Sequence, residues 1–189
     1  IFRIIFLMKI AISFPPIVNS LGQKAMISQN RNVQYFSVPT YLLGVTHAQA
    51  ATLLKKKGNE VYWDDGNAQL KDYKIWFDDL IKFNPDVIVF ESTTPIMHFM
   101  WETINKIKSK LINSIIVMTG YHSMRKPEET LNNSSTDIVI LSNHVDFVLD
   151  KLIDDLKLSN FSIKKLSCDG IAYKNNNGEF INKSFKKMK

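Results

Sequence analysis

Small polar residues stand at the ends of two consecutive apolar segments, and these positions are well suited to hold a ligand. Ser92, Thr93 and Thr94 follow the run DVIVFE, and Thr119 and Gly120 close the next run, SIIVMTG. Hydroxyl groups and backbone amides at the beginning of a helix donate hydrogen bonds to a ligand, and glycine allows close backbone approach. N-capping of the next helix and an ordinary turn glycine are the structural alternatives. The chemistry indicated is non-covalent ligand binding.

The other reactive side chains form no catalytic set along the sequence. His122 and His144 fall in loops after predicted strands, as ligand donors or as plain surface histidines. His47 is predicted to be a packing or surface residue of a helix, and His98 begins another helix facing the crevice or solvent. Cys168 is the single cysteine, which excludes an intrachain disulfide, a zinc cluster of cysteines and an iron-sulfur cluster held by three thiolates of this chain. It is expected to be a small buried residue.

Apolar runs that alternate with amphipathic segments position these residues. Strands are predicted at residues 9–14, 60–65, 86–91, 114–120 and 136–141. Helices are predicted at residues 41–57, 97–111 and 145–156, and one further helix begins at residue 73 and ends before Pro85. The third and fourth strands are apolar almost throughout, as expected for strands covered by helices on both faces. Right-handed crossovers then give an α/β fold with a doubly wound, five-stranded, mainly parallel, flavodoxin-like sheet in the order 2-1-3-4-5.

Two segments lie outside this alternation. Residues 19–37 have neither a clear period nor a core and are predicted to be a long loop. The stretch GIAYKNNNGEFI contains two short β runs around an Asn-Gly turn and predicts a C-terminal β-hairpin. We expect a Rossmann-like domain at residues 8–159, a hairpin and basic linker at residues 160–189, and an upstream extension at residues 1–7, before a start at Met8.

The predicted strand order defines a crevice above the carboxyl ends of the first and third strands, flanked by the fourth and fifth. Four loops border it, at residues 14–17, 92–94, 119–122 and 142–144. The candidate residues of the first and last loops are Pro15, Pro16, Ser142 and Asn143.

Composition and charge exclude several classes of protein. The chain has 189 residues, of which 45% are hydrophobic, enough for one domain with a core. Five of the six net positive charges lie after Asn160, so the body is nearly neutral. A basic tail without an aromatic-interleaved face predicts a solvated linker and no nucleic-acid partner. No apolar run is long enough to span a bilayer, so no membrane partner is expected, and a reducing cytoplasm fits the single cysteine.

Fingerprints of two common ligands of this fold are missing from the sequence. No glycine-rich dinucleotide motif follows the first strand, and no phosphate-binding loop ends in Gly-Lys-Ser or Gly-Lys-Thr. A phosphoacceptor receiver needs acidic residues after the first strand and an aspartate that ends the third. This chain has Phe14 and Pro15, then Glu91 and Ser92, at those positions.

The segments taken together resemble the N-terminal cobalamin-binding domain of cobalamin-dependent radical S-adenosylmethionine enzymes. The resemblance covers almost all of residues 8–181. It rests on a Pro-Pro after the first strand and on the segments PTYLLGVTHAQAATLLKKKGNEVYWDDGNA, FNPDVIVFESTTP, IIVMTGYHS, TDIVIL and DGIAYKNNNGEFI. It implies a Rossmann-like sheet that holds the corrinoid over the strand carboxyl ends. It also implies a downstream barrel that binds the iron-sulfur cluster and S-adenosylmethionine.

The resemblance implies roles for particular residues. Asp65 and Asn67 match the loop that approaches the lower face of the corrin, although the residues alone suggest a turn. Ser92, Thr93 and Thr94 match the polar loop that contacts the nucleotide tail or the corrin amides. A Gly-Gly-Pro-His segment of the family is matched by Gly120, Tyr121 and His122, with Thr119 in place of one glycine and Tyr121 in place of proline.

Two further departures concern cofactor retention. The family commonly has Gly-Glu-Gly-Glu after the fifth strand, where this chain has Ser142, Asn143, His144 and Val145. The Asp-x-His-x-x-Gly pattern that supplies an axial histidine in cobalamin-dependent mutases is also missing, since Gly66, Asn67 and Ala68 follow Asp65. A bound cobalamin is therefore expected to lack a protein ligand to cobalt.

The leading hypothesis is a cobalamin-binding module of a methyltransferase-like radical S-adenosylmethionine enzyme, with the catalytic barrel supplied in cis beyond residue 189 or in trans. On this hypothesis the 189 residues alone are not catalytic. The alternative is a degenerate Rossmann-like interaction domain that no longer binds cobalamin. A third hypothesis is a small-molecule enzyme that works alone in the same crevice.

Overall fold

A seven-stranded sheet is the centre of the computed structural model, which describes residues 7–19, 21–22, 24–27, 33–36 and 44–185. Its strands stand in the order β4-β1-β5-β6-β7-β8-β9. Their bounds are β1 Lys9–Phe14, β4 Glu60–Asp65, β5 Val87–Glu91, β6 Ile115–Thr119, β7 Ile138–Ile140, β8 Ile171–Lys174 and β9 Phe180–Lys183. A separate antiparallel pair consists of β2 (Lys24–Ile27) and β3 (Val33–Phe36).

The predicted α/β class and strand order are confirmed. Strands β4, β1, β5, β6 and β7 are the five predicted strands, and they pair in parallel. Every residue of β5, β6 and β7 is buried, because helices cover both faces. The predicted hairpin also forms, and β8 pairs antiparallel to β7, so the sheet has seven strands where five were predicted.

Six α-helices are present among the described residues. They are α1 Val45–Lys56, α2 Tyr73–Phe83, α3 Met97–Lys110, α4 Tyr121–Arg125, α5 Pro127–Asn133 and α6 Val145–Leu158. Helices α1 and α6 pack on one face of the sheet, through Leu54 and Leu152 among others. Helices α2 and α3 pack on the other face, with Trp76, Leu80 and Ile104 fully buried. The predicted apolar stripe of α3 is therefore core.

Three details of the prediction are wrong. The predicted loop at residues 19–37 contains β2 and β3, whose four-residue strands are too short to give a readable alternation. Helices α4 and α5 were not predicted, because short helices carry no extended apolar stripe. The third is the number of strands in the sheet, because a hairpin motif does not show which edge it joins.

Some predicted features lie outside the described residues. These are residues 1–6 of the upstream extension, residues 41–43 of the first predicted helix, residues 20, 23, 28–32 and 37 of the predicted loop, and the basic residues after 185. Within the described part of the chain, no helix combines the length and apolar character needed to cross a bilayer.

Candidate ligand-binding site

The carboxyl ends of the parallel strands meet at one edge of the sheet, which brings the four predicted loops together. Residues 15–17 follow β1, residues 92–94 follow β5, residues 120–122 follow β6 and residues 141–144 follow β7. The loop after β4 adds residues 66–68 at the same edge. Open α/β sheets bind ligands there, so this edge is the candidate site.

Asn67 holds the loop that follows β1. Its Nδ2 donates to the carbonyl oxygen of Pro15 at 2.9 Å, and its Oδ1 accepts from the Ile17 amide at 3.0 Å. Neighbouring Gly66 packs so closely that an added Cβ would lie 2.7 Å from Cδ of Pro16. Pro15, Pro16 and Asn67 are buried, and both ends of the Asn67 amide hydrogen-bond within the protein. Asn67 therefore shapes this wall of the site.

Asn67→Ala is expected to lower the free energy of unfolding by about 1–3 kcal/mol, since two buried backbone groups lose their partner. Urea denaturation followed by circular dichroism measures this. Asn143→Ala is the matched control, because Asn143 is exposed in the loop after β7, and its effect is expected to stay within about 0.5 kcal/mol. Equal effects of the two substitutions would contradict the bridging role of Asn67.

Asp65 ends β4 and lies half-buried beside this loop. Its Oδ1 accepts a hydrogen bond from the Ala68 amide at 2.9 Å. Burial raises the pKa of Asp65, and the nearby carboxylate of Asp64 adds to the rise, while the Ala68 and Asn67 amides oppose it. The carboxylate thus closes a turn.

The three hydroxyl residues after β5 have different surroundings. Ser92 is fully buried, and its Oγ donates to Sδ of Met97 at 2.9 Å. Thr94 is exposed, and its Oγ1 lies 3.1 Å from Nδ1 of His122. Thr93 is buried, and among the described residues its Oγ1 has no hydrogen-bond partner. Of these three hydroxyl groups, that of Thr93 is the one without a hydrogen-bond partner among the described residues.

Gly120 joins the loops after β5 and β6. It has φ of +97°, and an added Cβ would lie 2.9 Å from the Ser92 amide nitrogen and closer still to the Ser92 carbonyl oxygen. The Ser92 amide donates to the Thr119 carbonyl oxygen at 3.1 Å, which ties the two strand ends together. Glycine is therefore required here by the protein backbone itself.

A buried network that the sequence did not predict lies under this junction. His47 of α1 has its Nε2 2.7 Å from Oγ1 of Thr119 and its Nδ1 3.4 Å from Oε2 of Glu91. The three residues are 1%, 0% and 5% exposed, in the order His47, Thr119, Glu91. The sequence prediction left His47 as a packing or surface residue, and the structure places it inside. One signal was available, because His47 shares its helix face with Ala50 and Leu54.

The partners of this network restrict its protons. Oγ1 of Thr119 also lies 3.1 Å from the Phe90 carbonyl oxygen, so its one hydrogen goes either to Phe90 or to His47. In the first case Nε2 of His47 donates to Thr119, and in the second case Nε2 accepts from Thr119. In both cases Nδ1 lies 3.4 Å from Oε2 of Glu91, so the imidazole packs against the buried carboxyl group.

A hydrolytic triad also consists of a carboxylate, an imidazole and a hydroxyl group in this order. The geometry here, however, indicates a structural role for the three residues. Thr119 has no exposed surface, so a substrate carbonyl has no path to its hydroxyl oxygen in this structure. The network instead joins α1 to the ends of β5 and β6.

His122 lies half-buried after β6, edge-on to Trp101 with ring centroids 6.3 Å apart. Burial lowers the pKa of His122. Lys126 and His98 lower it further, and Glu129, whose Oε2 lies 3.8 Å from Nε2, opposes them. The imidazole is therefore neutral at pH 7. Tyr121 is exposed, with the guanidinium of Arg125 over its ring.

The loop after β7 is an exposed turn at the beginning of α6. Oγ of Ser142 accepts from the His144 amide at 3.0 Å, and Asn143 and His144 are exposed.

His98 is also exposed. Cys168 lies far along the chain and is buried as predicted; burial raises the pKa of its thiol to about 12, which leaves it protonated.

Four buried hydrogen-bonding groups near the ends of β5 and β6 have no hydrogen-bond partner among the described residues. They are Oγ1 of Thr93, Nε1 of Trp101, Nε2 of His122 and Oγ of Ser123. Native proteins pair most buried polar atoms, so these groups are candidates to hydrogen-bond a ligand. In the described part of the chain, no group of three or more His, Cys, Asp or Glu side chains could hold a metal ion.

Solved structures that align with this chain include two cobalamin-dependent radical enzymes. OxsB, solved with aqua-cobalamin and S-adenosylmethionine bound, aligns with a TM-score of 0.69 and 17% identity over 97% of this chain and 23% of its own. TsrM, a radical S-adenosylmethionine methyltransferase from Kitasatospora setae solved with tryptophan and a SAM analogue, aligns with a TM-score of 0.67 and 12% identity over 93% of this chain and 30% of its own. A TsrM structure with cobalamin and a [4Fe-4S] cluster gives a TM-score of 0.64 and 11% identity, over 94% of this chain and 31% of its own.

These similarities establish a shared fold. No protein-family model matches the sequence, and no curated protein matches it significantly. The chain spans about a quarter to a third of the length of the enzymes with which it aligns.

Proposed function

We propose that this chain is the cobalamin-binding module of a methyltransferase-like radical S-adenosylmethionine enzyme. The observation that carries the proposal is the alignment of nearly the whole chain with one part of OxsB, an enzyme solved with aqua-cobalamin bound. The crevice at the carboxyl edge of the sheet is where such folds hold their ligands. The sequence resemblance, which rests on separate motifs, supports the same family.

The residues at the carboxyl edge of the sheet suit an amide-rich cofactor. Corrinoids carry carboxamide side chains, and the buried hydroxyl groups of Thr93 and Ser123 are neutral donors without partners in the described residues. Gly66 and Gly120 allow close backbone packing at this edge. The residues proposed to surround the cofactor are Pro15, Pro16, Asp65, Asn67, Ser92, Thr93, Thr94, Gly120, Tyr121, His122, Ser142 and Asn143.

The side chains in this set differ in what they contribute. Thr93 and Thr94 offer hydroxyl groups, whereas Asn67 and Ser92 contribute mainly by fixing the backbone that faces the ligand. The imidazole of His47 is engaged with Thr119, and Gly66, Asn67 and Ala68 follow Asp65 in place of an axial-histidine pattern, so no histidine is proposed as a ligand of the cobalt. When bound, cobalamin supplies the methyl group or the electron that a substrate receives in the catalytic domain.

The proposal assigns catalysis to a radical S-adenosylmethionine barrel, in cis or in trans. The barrel would bind the iron-sulfur cluster and S-adenosylmethionine, and this chain would orient the corrinoid towards it. We place this activity in the cytoplasm, where an iron-sulfur enzyme is kept reduced.

Reconstitution tests the proposal. The folded 189-residue chain is incubated with hydroxocobalamin, desalted and examined by absorbance spectroscopy. We expect retention of about one corrinoid per chain. Flavin mononucleotide, a ligand of other flavodoxin-like sheets, serves as the matched control and is expected to be lost on desalting. A folded sample that retains no corrinoid absorbance would overturn the proposal.

A degenerate interaction domain is the second candidate. It is favoured by the internal hydrogen bonds of Asn67 and Ser92, which leave fewer side chains to contact a ligand. The same desalting experiment separates the two functions, because an interaction domain keeps its fold and retains no corrinoid.

A further inference from the structure

Trp101 of α3 carries a buried indole N–H group. The residue is 8% exposed, and its Nε1 has no hydrogen-bond partner among the described residues. Trp76, also buried, provides a contrast within the same core, because its Nε1 donates to Oγ of Ser13 at 2.8 Å. Buried indole N–H groups usually find such a partner.

The indole of Trp101 lies beside the candidate site. Its ring stands edge-on to that of His122, which in turn contacts Oγ1 of Thr94, so it adjoins the loops after both β5 and β6. Thr93, whose buried hydroxyl group also has no partner among the described residues, belongs to the same loop as Thr94. The ring of His98 packs on the indole with centroids 5.0 Å apart.

The electrostatic surroundings indicate what the indole binds. His122 is neutral at pH 7 because burial lowers its pKa, and the carboxylate of Glu129 lies 3.8 Å from its Nε2. The charges around His122 are mixed, because Lys126 acts on it as well as Glu129. They favour neither an anion nor a cation, and an uncharged acceptor such as an amide carbonyl gains a hydrogen bond with the indole without charge repulsion.

We propose that the indole N–H of Trp101 donates to a carboxamide oxygen at the edge of the corrin, and that Trp101 is thereby a positioning residue for the cofactor. This inference rests on the proposed function and adds a residue of α3 to it.

Trp101→Phe, with Trp76→Phe as the matched control, tests the role of the N–H group. Both substitutions remove the same ring volume, but only Trp76→Phe leaves a buried hydroxyl, that of Ser13, without its donor. We expect Trp101→Phe to weaken hydroxocobalamin binding by about tenfold, the effect of one hydrogen bond. Trp76→Phe should leave the affinity unchanged and lower the melting temperature of the free chain more than Trp101→Phe does.

Nuclear magnetic resonance of the ¹⁵N-labelled indoles provides a readout that a purely structural role would not move. The Trp101 indole proton is expected to shift downfield on addition of hydroxocobalamin, and that of Trp76 to stay in place. Corrinoid retention with an unmoved Trp101 signal and an unchanged affinity of Trp101→Phe overturns this inference and leaves the proposed function standing. Failure of the wild-type chain to retain corrinoid overturns both.

Discussion

Replacing His47 with leucine is expected to lower the free energy of unfolding by about 3–5 kcal/mol, the cost of removing one partner from a buried ionisable pair. Glu91 is 5% exposed and faces Nδ1 of His47 at 3.4 Å, so its carboxyl group would stay buried without the imidazole. Thr119 would also lose the contact that Nε2 makes with its hydroxyl. Denaturation in guanidinium chloride at pH 7, followed by circular dichroism, measures the change.

A second substitution identifies the cause. Adding Glu91→Gln to His47→Leu replaces the buried ionisable group with a neutral amide and is expected to recover at least about half of the lost stability. His144→Leu, at an exposed position, controls for the loss of an imidazole and should change stability by no more than about 0.5 kcal/mol. If the double substitution recovered nothing, burial of the carboxyl group would not be the source of the loss.

Substituting Gly120 with alanine is expected to cost about 4 kcal/mol of stability, because positive φ and overpacking each add strain. The new Cβ would meet the backbone nitrogen and carbonyl oxygen of Ser92, which cannot turn away as a side chain would. The loops after β5 and β6 must then separate, so corrinoid retention should fall with stability. Chemical denaturation gives the first quantity, and absorbance after desalting gives the second.

Gly178→Ala separates backbone strain from the steric clash. Gly178 has φ of +76° in the turn between β8 and β9, and an added Cβ would meet nothing within 4 Å. Strain alone is expected to cost about 1–2 kcal/mol there, with corrinoid retention unchanged. A Gly120→Ala variant no less stable than Gly178→Ala would show that the contact with Ser92 yields without cost.

Local patterns were sufficient to predict most of the sheet. The apolar runs that became β5 and β6 could only be strands covered on both faces, and their alternation with amphipathic helices required parallel crossovers. The same reasoning missed β2 and β3, two four-residue strands that pair with each other. It also missed α4, a single short helix after Gly120.

The location of the site could likewise be predicted, but not the part each side chain plays in it. Parallel strands bring their carboxyl ends to one edge whatever the loops contain, so residues 92–94 and 120–122 had to meet. Whether a serine or an asparagine then faces a ligand or the protein depends on rotamers and turns. Ser92 bonds to Met97, and Asn67 bonds to Pro15 and Ile17, which residue type alone does not decide.

The fold class, the strand order and the edge of the sheet at which the candidate site lies follow from the sequence, because periodicity and crossover handedness are local rules. The tertiary structure alone decided that His47 meets Thr119, 72 residues away, and Glu91 beneath that edge. It also decided that Trp101 is buried with its N–H unpaired among the described residues, whereas that of Trp76 finds Ser13. Such contacts depend on how helices seat on the sheet, and burial then sets the energy of each polar group.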